Sequence, residues 1–160
     1  MIPWDSQQKD IGRDRRKVHW TDAMPDDFPG AASKHVLDSE ALLAANRFDG
    51  AGYLAGYAVE CTIKTVAQVE GRKLGKRHDL GDLSRKALVL AALPNARTAR
   101  YLSKPNFTTL TYGGPSGWRE TMRYQAVGFV NQADAVAWVA EARRLHDEVI
   151  LEMKKDGFLR

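Results

Sequence analysis

The sequence has a single cysteine among 160 residues, so no disulfide can close within the chain, and the apolar neighbours Val59 and Ile63 assign Cys61 to packing rather than reactivity. No stretch reaches the roughly 18 consecutive apolar residues of a membrane span, and Met1 to Gly30 carries charges of both signs where a signal sequence would have an apolar core. A cytoplasmic protein with no membrane association is expected. Sustained apolar/polar alternation is missing, which argues against strands, and no internal repeat is visible. The strong chemical signatures are missing as well: there is no CxxC, no HExxH, no glycine-rich phosphate loop ending in Lys-Ser or Lys-Thr, and no G-x-S-x-G. His19, His35, His78 and His146 lack metal-ligand spacing and no hydride-transfer cofactor has a cradle, so neither a metal nor a cofactor is expected.

What remains is helical periodicity, in a length suited to one domain. Residues 1–30 form a polar arm, broken by Pro25, Asp26, Asp27, Pro29 and Gly30, in which Trp4, Trp20 and Phe28 could dock on the body or on a partner. Residues 31–160 are expected to be an all-α bundle of four to five helices. The first runs from Ala31 to Arg47, with Leu37, Ala41, Ala44 and Phe48 on the core stripe. Asp49 can cap a second helix that runs to about Glu70 and stops at Gly71. Its residues are apolar almost all round, which makes it the centre of the bundle, and Ala51, Gly52, Ala55 and Gly56 would let a neighbouring backbone approach closely. A third helix starts near Leu80, turns Leu83, Ala87 and Leu90 inward and ends at Pro94. Asn95 can cap a short segment carrying Ala96, Ala99 and Leu102, before a glycine- and proline-rich loop over 103–117 in which Phe107, Leu110 and Tyr112 are partly tucked. The last helix runs from Gln132 to Lys155 behind Asn131, with Trp138, Ala142, Leu145, Val149 and Met153 on one stripe.

The net charge of +4 is concentrated. Residues 71–104 hold nine cations (Arg72, Lys73, Lys76, Arg77, Arg85, Lys86, Arg97, Arg100, Lys104) against Asp79 and Asp82, which makes either a basic surface for phosphates or an acidic partner, or a solvated helix face. Two constellations could carry chemistry. On the second helix Tyr53, Tyr57, Glu60 and Lys64 fall at i, i+4, i+7 and i+11 and share one face, with Glu60 and Lys64 in the favourable order for an ion pair. They form either a ligand-binding cleft or a structural polar seam. In the basic stretch His78 and Asp79 sit among four cations. This pair is either a cap for the third helix or a general base with an arginine to stabilise an anionic transition state.

The run from Asp49 to Cys61, followed by Ile63-Lys64 and His78-Asp79-Leu80, and Trp118 with Arg123-Tyr124 ahead of the last helix, resembles the HEPN domain (higher eukaryotes and prokaryotes nucleotide-binding) over about residues 31–155. The resemblance implies a helical bundle that dimerises and works beside a nucleotidyltransferase-type protein, as antitoxin, toxin or substrate-binding partner. Many members of that family are metal-independent ribonucleases with an arginine, four to six residues, then a histidine near the last helix. Here Arg72 and His78 have that spacing in the loop after the second helix, while Arg143 and Arg144 stand too close to His146. The first expectation is therefore a non-catalytic, homodimeric module that binds a nucleotide, RNA or a nucleotidyltransferase-type partner in a toxin-antitoxin or defence-like system. Its cleft would be formed by Tyr53, Tyr57, Glu60, Lys64, Asp79, Arg123 and Tyr124. The alternative is an endoribonuclease with His78 as base and Arg72, Arg77 or Arg123 as cation. A third reading is a structural subunit of an assembly.

Overall fold

The computed structural model describes residues 26–102 and 117–160, and Trp4, Trp20, Lys104, Phe107, Leu110 and Tyr112 lie outside them. The first helix, α1 (Phe28–Ala44), starts three residues before the expected Ala31 because the Asp27 side chain accepts from the Gly30 amide and Pro29 occupies the first turn, where its missing N–H costs nothing. Phe28 is thus a helical residue packed on the core, not part of an arm. The inward face of α1 is also rotated from the one expected. Ala32, Val36 and Ser39 are buried, while Leu37 is 59% exposed and Ala41 and Ala44 face outward.

A tight turn at 45–47, with Asn46 in the left-handed region, folds the chain back into α2 (Phe48–Val69). Asp49 does not cap this helix; it sits in the first turn and holds the loop ahead of α4. Residues from Ala58 to Ala67 are buried without interruption, and Thr62 and Thr65 satisfy their hydroxyls on the carbonyls of Ala58 and Cys61 one turn back. At its C-terminus Gly71, φ +69°, donates to the Gln68 carbonyl and Arg72 to that of Ala67, the paired bonds of a Schellman stop. α3 (Leu80–Ala91) is capped by Asp79, whose carboxylate accepts from the Asp82 amide, and buries Leu80, Leu83 and Ala87.

The segment after Pro94 forms no helix. Asn95 takes φ +64° and Ala99 is exposed, and the chain is held by Thr98, whose amide and hydroxyl both donate to Glu70. A 3-10 turn (Glu120–Tyr124) precedes α4 (Gln132–His146), which Asn131 caps by accepting from the Asp134 amide. α4 continues through a π turn (Asp147–Leu151) into α5 (Glu152–Lys155), and all five residues of its expected stripe are buried. The result is an all-α bundle in which α1, α3, α4 and the 3-10 turn surround α2, with no strand among the described residues. None of the described helices is long and apolar enough to cross a membrane.

Candidate functional site

Small residues on α2 make room for the site. A Cβ on Gly56 would lie 2.0 Å from ring atoms of Trp118, and one on Gly52 would lie 3.0 Å from Trp138 and Val130. The close approach expected there is therefore made by side chains, including two indoles, and not by a neighbouring backbone. Trp118 donates its indole N–H to the Tyr53 carbonyl at 3.0 Å and packs edge-on to Tyr57, with ring centroids 5.2 Å apart. Met122 is buried beside it, so the segment from Trp118 to Tyr124 is fastened to the first half of α2.

Around Tyr57 a polar cluster forms. The Tyr53 and Tyr57 hydroxyls are 3.3 Å apart, and Arg123 reaches Tyr53 at the outer limit of a hydrogen bond, 3.5 Å. Burial, then the Tyr53 hydroxyl, pushes the Tyr57 phenol well above its ordinary range, so it stays protonated and able to donate. Hydrogen bonding to Tyr53 and Tyr124 holds the Arg123 guanidinium charged, and its cation lies over the exposed Tyr124 ring. Deeper in, Glu60 and Lys64 form a buried ion pair of 2.7 Å, with side chains 4% and 8% exposed. Two charges at that depth need further partners. Glu60 finds one in His78, whose Nδ1 is 2.9 Å and 3.1 Å from its two oxygens, and Lys64 lies over the Phe28 ring. The other ring nitrogen of His78 is 3.2 Å from Glu120 on the 3-10 turn. On the far side of Tyr57 lies His35, whose buried Nδ1 has no partner among the described residues and whose pKa burial lowers first, with Lys34 second.

Beyond Tyr53 the cluster opens into a pocket of about 480 Å³ between the α1–α2 turn, the start of α2 and the chain from Met122 to Val130. Its apolar lining comes from Leu42, Phe48, Met122 and Val130; Asn46 and Gln125 add amides. Arg47 and Arg123 bring two guanidinium groups, neither in an ion pair among the described residues. Asp49 accepts from the amides of Gly128 and Val130, at 2.7 Å and 2.8 Å, which fixes the far wall and occupies the pocket's carboxylate.

Tyr53, Tyr57, Glu60, Lys64, His78 and Arg123 are thus brought together. Glu60 and Lys64 are an internal support and not a ligand surface. Asp79 is committed to the α3 cap, and Tyr124 lies outside the cluster, under Arg123. The Arg72–His78 pair does not assemble: Arg72 is exposed, and the charged groups in contact with His78 are the carboxylates of Glu60 and Glu120. Arg77 turns instead to Asp82, 3.0 Å away, where Lys86 and Arg85 also converge. The basic stretch accordingly divides, since Arg97 covers Phe158 and Arg100 pairs with Asp156 at the C-terminal end. Lys73 and Lys76 are exposed in the loop before α3.

Sequence reasoning missed Arg47, Glu120 and the pocket wall. Their roles depend on contacts across the chain, and the only local hint was the density of polar and aromatic residues from Trp118 to Gln125. Cys61 is buried with its thiol pushed up to about 11, first by desolvation, in keeping with packing. No group of His, Cys, Asp and Glu among the described residues could hold a metal ion. Compared with models of protein families, with curated proteins and with solved structures, the chain has no significant match.

Proposed function

We propose that the chain is a HEPN-like binding module that takes a nucleotide, or the end of an RNA, in the pocket beside Tyr53. In this reading it acts as a cytoplasmic homodimer with a nucleotidyltransferase-type partner, in a toxin-antitoxin or defence-like setting. The observation that carries the ligand is the pocket itself: about 480 Å³, lined by apolar side chains and by Arg47 and Arg123, with one carboxylate among its described residues, Asp49, already bonded to backbone amides. That volume is in the range of small-molecule sites, and the combination suits a flat base on apolar and tyrosine surface with phosphate on guanidinium groups. Binding stands ahead of RNA cleavage because His78 lies between Glu60 and Glu120, and among the described residues no arginine pairs with either carboxylate or contacts the ring, Arg77 being turned to Asp82.

Isothermal titration of the full chain with AMP, GMP, ATP and short single-stranded RNA tests the reading. Binding to at least one of them is expected, with Arg123→Ala and Arg47→Ala each weakening it roughly tenfold through loss of a charge-assisted contact. Affinity unchanged in both variants, or no affinity for any of these ligands, contradicts it. Cleaved RNA in the presence of EDTA would return the ribonuclease reading to first place.

A further inference from the structure

His78 bridges three parts of the fold that are distant in sequence. It lies in the loop before α3, its Nδ1 faces Glu60 on α2, and its Nε2 faces Glu120 on the 3-10 turn. A neutral imidazole has one N–H and one lone pair, so it can donate to only one of these carboxylates and must present its lone pair to the other. The imidazolium donates to both. Charge gives the same answer: Glu60, Glu120 and Lys64 sum to −1, and a protonated ring brings the group to zero.

The two carboxylates are not equivalent. Glu60 is 4% exposed and also held by Lys64, whereas Glu120 is 35% exposed and the imidazole is its one described ionic partner. The hydrogen bonds to Glu60 therefore remain when the ring is neutral, and the contact that weakens is the 3.2 Å ion pair with Glu120. That residue stands two positions before Met122 and three before Arg123, both of which line the pocket. The groups around the ring from each packed element are Tyr57, Glu60 and Lys64 on α2, Glu120 on the 3-10 turn and, across Tyr57, His35 on α1; Asp79 next in sequence is turned into the α3 cap and Arg77 toward Asp82.

We propose that His78 is a positioning residue for the pocket: its imidazolium latches the Glu120–Tyr124 turn onto α2, and loss of the proton releases that turn and with it Arg123. The affinity half of this inference rests on the nucleotide-binding reading, but the latch itself does not. Imidazoles in general change charge over roughly pH 5 to 8.

The test uses the isotopically labelled full chain across that range. It follows the His78 ring, the Trp118 indole N–H and the amides of Glu120 to Val130 by NMR, and measures AMP affinity at each pH for the parent and for Glu120→Gln. Glu120 is partly exposed and does not line the pocket, so this variant should fold and should bind AMP at high pH like the parent. The phosphate of AMP titrates in the same range, so the readout is the difference between the two profiles. The expected result is that the turn's signals follow the His78 titration in the parent alone, and that acidification favours AMP binding roughly fivefold more in the parent than in the variant. Identical pH responses in the two proteins, or turn signals that ignore the His78 titration, overturn the latch. If the turn moves as expected while the affinity profiles coincide, the coupling to Arg123 is wrong. If AMP binds neither protein while the turn still follows His78, the latch stands and the nucleotide reading falls.

Discussion

Gly56 supports the site by having no side chain. Its missing Cβ is the space that the Trp118 ring fills, and that ring carries the segment bearing Glu120, Met122 and Arg123. Gly56→Ala would raise helix propensity by about 1 kcal/mol, yet the added methyl would overlap a 5% exposed indole, which must move by roughly an ångström or more to admit it. A net loss of about 1–3 kcal/mol is expected in urea unfolding, with red-shifted tryptophan emission as Trp118 is displaced. An unchanged midpoint and spectrum would mean that the indole does not pack against α2. Asp49 and Glu60 make the related point for polar residues. Helical spacing alone makes Asp49 resemble a cap and pairs Glu60 with Lys64; the structure gives Asp49 the amides of Gly128 and Val130 instead, and adds His78 to the Glu60–Lys64 pair.

At the scale of elements, α1 and α4 are joined by a seam that sequence periodicity does not reveal. Arg143 donates through Nε and one terminal nitrogen to the two oxygens of Glu40, at 2.7 Å and 2.6 Å, and one turn on the buried His146 lies between Ser33 and Asp147, 2.9 Å from each. The arginine's hydrogen bond, more than its charge alone, holds the Glu40 carboxyl below its usual range. A carboxyl depressed in the folded state binds more protons when unfolded, so its stabilisation is present above its unfolded pKa and is lost as pH falls through its folded one. Arg143→Ala should cost less than about 1 kcal/mol at neutral pH, because both side chains are about a third exposed, and should flatten the acid limb of the stability curve. An acid limb as steep as the parent's would assign that limb to other carboxylates.

The same elements mark what was legible in sequence. The run from α4 through the π turn to α5 was, because Trp138, Ala142, Leu145, Val149 and Met153 are apolar residues on one stripe behind an asparagine cap. So was the shared face of Tyr53, Tyr57, Glu60 and Lys64, since a 3.6-residue period places it without help from other elements. The inward face of α1 was not. Small and apolar residues lie on both its sides, and only packing against α2 selects Ala32 and Val36 over Leu37 and Ala41. The pocket was not legible either, because Asp49 and the amides it holds are 79 and 81 residues apart.

Across the whole molecule, the two ends of the bundle differ in charge. The end near Tyr53 offers Arg47 and Arg123, in no ion pair among the described residues, beside apolar lining, whereas the hollow of about 360 Å³ at the C-terminal end mixes Asp26 and Asp27 with Arg97 and Arg160. An anion with a flat apolar body is suited to the first and is partly opposed by carboxylates at the second. The basic stretch over 71–104 contributes little to this choice, since Arg77, Arg85 and Lys86 converge on Asp82. The measurement that tests the central claim most directly is a titration of AMP into the isotopically labelled chain at neutral pH, followed by amide chemical shifts. The account expects saturable shifts concentrated over Asn46–Tyr53 and Met122–Val130, together with the Trp118 indole; saturable shifts confined to the C-terminal hollow, or none at millimolar AMP, would contradict it.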